Sequence, residues 1–64
     1  MARENLKAAR KAAGMTQQQV AEKLGISVRM YQRIEDGTAL GKITHWDKLE
    51  DLFEISQRQL RENE

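Results

Sequence analysis

A chain of 64 residues with no cysteine, no proline, one histidine and a net charge of +1 allows one small domain over 1–64 with one small core. It excludes a disulfide framework and a thiolate metal site, and with His45 as the sole imidazole no metal or other cofactor is expected. No apolar run approaches the roughly 20 residues of a membrane span, and Met1 to Arg10 lack the apolar stretch of a secretory signal, which predicts a soluble cytoplasmic chain with no membrane partner.

Ala, Glu, Lys, Arg, Gln and Leu dominate the composition, which favours helix almost throughout. Leu6, Ala9 and Ala13 recur at helical spacing and predict a first helix from about Arg3 to Ala13, stopped by Gly14. Thr16 with Gln19 three residues on is a capping-box pattern. The helix it opens carries Val20, Ala21 and Leu24 on one face. Gly25 followed by apolar Ile26 fits a Schellman ending, so the second helix is short and stops sharply. Ser27 caps a third helix that runs to about Glu35 or Asp36 and ends at Gly37.

From Thr38 to Ile43 there is no clear period, which reads as a loop. Thr44 is the expected cap of a fourth helix, with Trp46, Leu49, Leu52 and Phe53 as its apolar stripe. Ser56 and Gln59 form a second capping-box pattern, opening a short last helix with Leu60 inward. Arg61 to Glu64 are expected to fray. The fold class is therefore all-α, with five helices.

The third helix divides into two faces. With residues about 100° apart, Met30, Ile34 and Tyr31 share an arc of about 100°, while Val28, Gln32, Asp36, Arg29 and Arg33 occupy about 140° opposite. The first arc is the expected core stripe. The second carries Arg and Gln, whose side chains make paired hydrogen bonds to guanine and adenine edges, and a valine suited to a thymine methyl. A short helix, a tight glycine turn and a second short helix make a helix-turn-helix unit, with small Ala21 where the two helices cross. The free N–H groups at Thr16, Gln17 and Gln18 face the position of a phosphate at a helix start. Charge is distributed to match. Residues 1–33 hold seven Lys/Arg against two Asp/Glu, a balance of +5, and residues 34–64 hold four against eight, a balance of −4.

The run MTQQQVAEKLGIS (15–27) followed by YQRIEDG (31–37) resembles the Cro and phage-repressor family of helix-turn-helix domains, often called the Xre family. The resemblance covers nearly the whole chain and implies a five-helix, lambda-repressor-like DNA-binding fold. It implies that Gln17, with Gln18 beside it, grips a phosphate. Val28, Arg29 and Arg33 are then the residues at bases, with Gln32 nearby. Ser27 is implied as the cap of the recognition helix and a backbone contact, and Thr38 and Lys42 as phosphate contacts of the following loop. Arg10 and Glu35 match a pair that joins the first and third helices in phage repressors. Four positions depart from the pattern. Val20 stands for leucine, and the loop after Gly37 lacks a proline. Tyr31 stands for a small aliphatic, with its hydroxyl expected near the rim. Glu54 stands for a glycine, which suggests a looser turn before the last helix.

No grouping suggests catalysis. Ser27 and Ser56 read as caps, and Asp47, Glu50, Asp51 and Glu54 read as a solvated face. The expected partner is double-stranded DNA bearing a palindromic operator. A module this small needs two copies on a two-fold site for tight specific binding, so a weak homodimer or a dimer formed on DNA is expected. Its contact surface is expected in the loop Thr38–Ile43 or near Phe53, Ile55 and Leu60. The alternative function is a protein-interaction module, such as an antitoxin or a partner of another regulator.

Overall fold

The computed structural model describes residues 2–62. Its elements in chain order are α1 (Glu4–Ala12), α2 (Gln17–Leu24), α3 (Val28–Asp36), α4 (Ile43–Phe53) and α5 (Gln57–Leu60). Among the described residues there is no strand. α2 packs on α3, α5 packs on both α4 and α1, and α1 also meets α3. The buried core between them is Leu6, Ala9, Val20, Ala21, Leu24, Tyr31, Ile34, Trp46, Leu49 and Leu60.

Local chemistry sets most helix ends. The Thr16 hydroxyl accepts from the Gln19 N–H at 3.1 Å, and the Gln19 side chain accepts from the Thr16 N–H at 2.9 Å, which completes the reciprocal box. Gly25 takes φ +74°, which a residue with a Cβ adopts only at a cost. Its N–H donates to Glu22 O at 3.2 Å and that of Ile26 to Ala21 O at 3.0 Å, a complete Schellman pair. The Ser27 hydroxyl then accepts from the Met30 N–H at 3.1 Å and starts α3 after a connection of three residues, Gly25 to Ser27. Glu4 in the first turn of α1, and Arg10 and Lys11 in its last, complement the helix dipole.

Several expectations are corrected. Met30 is 40% exposed, while Glu35 is completely buried. The buried arc of α3 is Ile34, Tyr31 and Glu35, centred on Tyr31. It takes in a carboxylate because that carboxylate is paired, and Met30 is left at the margin. Tyr31 is also completely buried and its hydroxyl has no hydrogen-bond partner, so the hydroxyl is not at the rim. α4 begins at Ile43 with Lys42 as N-cap, not at a Thr44 cap. A lysine side chain has no acceptor for this role, so only the reciprocal half of a box is made: His45 Nδ1 accepts from the Lys42 N–H at 3.3 Å.

Gly41 precedes this start at φ +73°, where a Cβ would lie 3.2 Å from Ile34 Cδ1 and 3.4 Å from Trp46 Nε1. The Trp46 indole N–H donates to Leu40 O at 2.8 Å and ties the same loop down. At the other end of α4, Glu54 is itself left-handed, φ +55°, and its N–H donates to Glu50 O at 2.8 Å. The turn is thus the one a glycine would make. Ser56 Oγ accepts from the Gln59 N–H at 3.4 Å, so α5 has the forward half of its box. Leu60 is completely buried and is core rather than contact surface. Arg61 is held through its carbonyl, which accepts from Arg3 Nε at 3.2 Å; Asn63 and Glu64 lie outside the described residues.

Candidate nucleic-acid interface

α3 presents Val28, Arg29, Gln32, Arg33 and Asp36 to solvent, opposite its buried arc. Arg29 and Arg33 are one helical turn apart, as are Val28 and Gln32, so each pair stacks along the exposed face. The start of α2 lies beside this face. The Gln32 amide N–H donates to Gln17 Oε1 at 3.2 Å, and Gln17 Nε2 donates to Glu35 Oε1 at 3.1 Å. Thr16 takes up the Gln19 N–H, and no bond within the described residues takes the N–H groups of Gln17 and Gln18. The first two donors of α2 therefore remain open next to the arginine-bearing face.

Arg10 anchors this corner. Its Nε donates to Glu35 Oε2 at 2.7 Å, its Nη2 to Glu35 Oε1 at 3.4 Å, and its Nη1 to Met15 O at 3.0 Å. Burial alone pushes the Glu35 carboxyl up. The Arg10 guanidinium and the Gln17 amide outweigh that effect and hold it below the usual carboxylate range. The Arg10–Glu35 pair is thus a near-buried ion pair joining α1 to α3. Breaking one partner of such a pair costs about 3–5 kcal/mol.

The remaining sequence-predicted residues are placed separately. Ser27 and Gln18 are exposed at the starts of α3 and α2. Thr38 Oγ1 donates to Arg33 O at 3.2 Å and closes the end of α3. Lys42 is exposed, and its backbone N–H is held by His45. No hydrogen bond within the described residues joins Thr38 or Lys42 to Gln17 or Gln32. The sequence reading named Glu35 only as the partner of Arg10, and it missed Arg3. Glu35 acts on Gln17 as well as on Arg10; its placement next to Val28 and Tyr31 around α3 was the available sign. Arg3 is buried at the far end of α3, where it donates to the carbonyls of Ile34 and Ala39, and nothing in its sequence neighbourhood marks it.

No helix is long and apolar enough to cross a membrane among the described residues. The Helix-turn-helix family model matches residues 6–60. The cryptic phage CTXphi transcriptional repressor RstR of Vibrio cholerae is 39% identical over 54 residues, which cover 84% of this chain and 48% of the relative. The chain thus spans about half the length of that relative. No solved structure matches it. With the α2–turn–α3 geometry and the family match in agreement over almost the whole chain, the protein belongs to the helix-turn-helix family of the Cro and phage-repressor type, a family of DNA-binding transcription regulators.

Proposed function

We propose that this chain is a sequence-specific binder of double-stranded DNA and a transcription repressor, a binding protein of the cytoplasm rather than an enzyme. The observation that carries this reading is the exposed face of α3, with Arg29, Arg33, Gln32 and Val28 turned to solvent beyond a closed Schellman turn. α3 lies in the major groove and reads base edges, arginine on guanine, glutamine on adenine, valine on a thymine methyl. The open N–H groups of Gln17 and Gln18, with Ser27, Thr38 and Lys42 on flanking segments, set the register on phosphates. The likeness to a phage repressor supports the regulatory role.

Two copies occupy a palindromic operator, with half-sites about 34–36 Å apart. The described fold measures 25 × 23 × 20 Å, so copies at that spacing meet along an edge and not over a broad face. Leu40, 81% exposed, and Ile43, 64% exposed, offer the apolar edge for this contact in the loop after α3. Such an edge suits a weak dimer, or one completed on DNA.

The test is selection from random duplex DNA at low salt, followed by binding of Arg29→Ala and Arg33→Ala. An enriched inverted repeat is expected, with each arginine change costing about 1–3 kcal/mol and relaxing one base position. Affinity should fall with salt, by about 0.9 log units per log unit for each phosphate neutralised. A folded protein that enriches no sequence overturns the reading in favour of a protein-interaction module.

A further inference from the structure

We propose that Glu35 and Gln17 are positioning residues that fix which way round the Gln32 amide faces the DNA, so that Gln32 distinguishes adenine on one strand from adenine on the other. The inference rests on the proposed DNA-reading function and concerns the specificity of the same face.

It follows from a chain of groups with only one consistent arrangement. A carboxylate can only accept hydrogen bonds. The Glu35 carboxylate is completely buried and held by Arg10 on both oxygens. The Gln17 side chain that reaches it must therefore present its NH2 group, and it does, Nε2 to Oε1 at 3.1 Å. Once Gln17 is turned that way, its own Oε1 faces α3. Gln32 must in turn present its NH2 group, and it does so at 3.2 Å. Each amide is polarised by the one before it, and the order begins at a charge that cannot reverse.

The consequence lies on the outward side of Gln32. One of its two N–H groups is used by Gln17, so one N–H donor and the Oε1 acceptor remain, in a set order. Adenine offers N7 as acceptor and N6–H as donor in the major groove, and a T·A pair offers the adenine groups in the mirrored order. A freely turning amide suits either order by rotating half a turn. A held amide suits one.

The relay separates two roles for Gln17 that a contact map alone does not. A residue that only grips phosphate carries no sequence information, and its loss weakens all sites alike. A positioning residue changes the base preference of its neighbour. The experiment compares base preferences from the same random-duplex selection for the wild type, Gln32→Ala, Gln17→Met and the double variant. Gln17→Met keeps the chain length and helix propensity and removes the amide. The expected result is that Gln17→Met relaxes the same base position as Gln32→Ala, with a loss of about tenfold in discrimination between adenine on the two strands, and that the double variant relaxes it no further than Gln32→Ala alone.

Glu35→Gln alone leaves Arg10 as a lone charge in the core, so the charge is tested with Arg10→Met/Glu35→Gln, which removes both members of the pair together. With its cooperative melt retained, this variant should accept adenine on either strand at that position. Uniform weakening by Gln17→Met with every base preference intact overturns the relay alone. So does an unchanged strand preference in the folded Arg10→Met/Glu35→Gln chain. A wild-type chain that selects no sequence overturns the DNA-reading function itself.

Discussion

The phenol of Tyr31 lies fully inside the core, with the Glu35 carboxylate and the Arg10 guanidinium as its polar neighbours and no hydrogen bond of its own. An unpaired buried hydroxyl costs about 1–3 kcal/mol. Burial, and then the neighbouring carboxylate, raise the Tyr31 pKa well above its ordinary 10.0. Its contribution to stability is therefore complete below that value and is lost as the pH rises beyond it. Glu35 is shifted the other way, below its ordinary 4.5. Its contribution is present above that value and is lost as the pH falls below it. The expected profile of urea midpoint against pH is a plateau bounded by these two limbs. Tyr31 is the sole tyrosine, so tyrosinate absorbance reports it alone and should rise only together with loss of helical circular dichroism. Tyrosinate forming near its ordinary value while the helices persist would place the hydroxyl in solvent.

Among the elements, the end of α4 is the one that departs from ideal chemistry. Glu54 is the non-glycine residue at positive φ among the described residues, and its N–H closes a single bond back to Glu50. A side chain in this conformation costs roughly 1–2 kcal/mol, and glycine recovers part of that while loosening the unfolded chain. Glu54→Gly is expected to stabilise the protein by about 0.5–1 kcal/mol, read as a higher denaturant midpoint at unchanged slope. A lower midpoint would mean that the Glu54 side chain contributes more than the backbone strain takes away.

Structure set by residues close together in sequence was legible beforehand. The Thr16–Gln19 box, the Gly25 turn and the Ser27 cap depend on residues within a few positions of one another, and local sequence determines them. The exposed side of α3 was equally legible, because three of its five residues are Arg or Gln at helical spacing. The start of α4 was not. Thr44 is the locally favoured cap, but Trp46 of α4 donates to Leu40 O and draws the preceding loop onto the helix, and Gly41 leaves no spare room there beside Ile34. Met30 failed for a related reason. Its apolar side chain claimed a core position that the ion pair with Arg10 gives to Glu35. The Gln17–Gln32 contact joins residues 15 positions apart in sequence and exists only because α2 and α3 cross where they do.

At the scale of the molecule, Arg3 is the residue on which most elements converge. Its backbone N–H donates to Glu35 O at 2.8 Å and its guanidinium to the carbonyls of Ile34, Ala39 and Arg61, while the group also lies 5.2 Å from the centre of the Trp46 ring. It thereby joins the start of α1 to the end of α3, the following loop and the end of α5. The planar fork suits three separate carbonyls in a way that a lysine ammonium does not. Arg3→Lys is expected to cost about 1–3 kcal/mol, since it leaves at least one buried carbonyl unpaired. Thermal melts would show this as a large drop in midpoint, and a change within experimental error would show the clasp to be idle.

The clasp also has an architectural consequence. Arg3 and Arg61 stand 58 positions apart in sequence yet within reach of a single side chain. A polypeptide that enters the fold at one leaves it beside the same point, so the whole bundle hangs from its backbone like a charm from a closed ring. Grafted into a surface turn of another protein, such a bundle would hardly spread the two strands of its host.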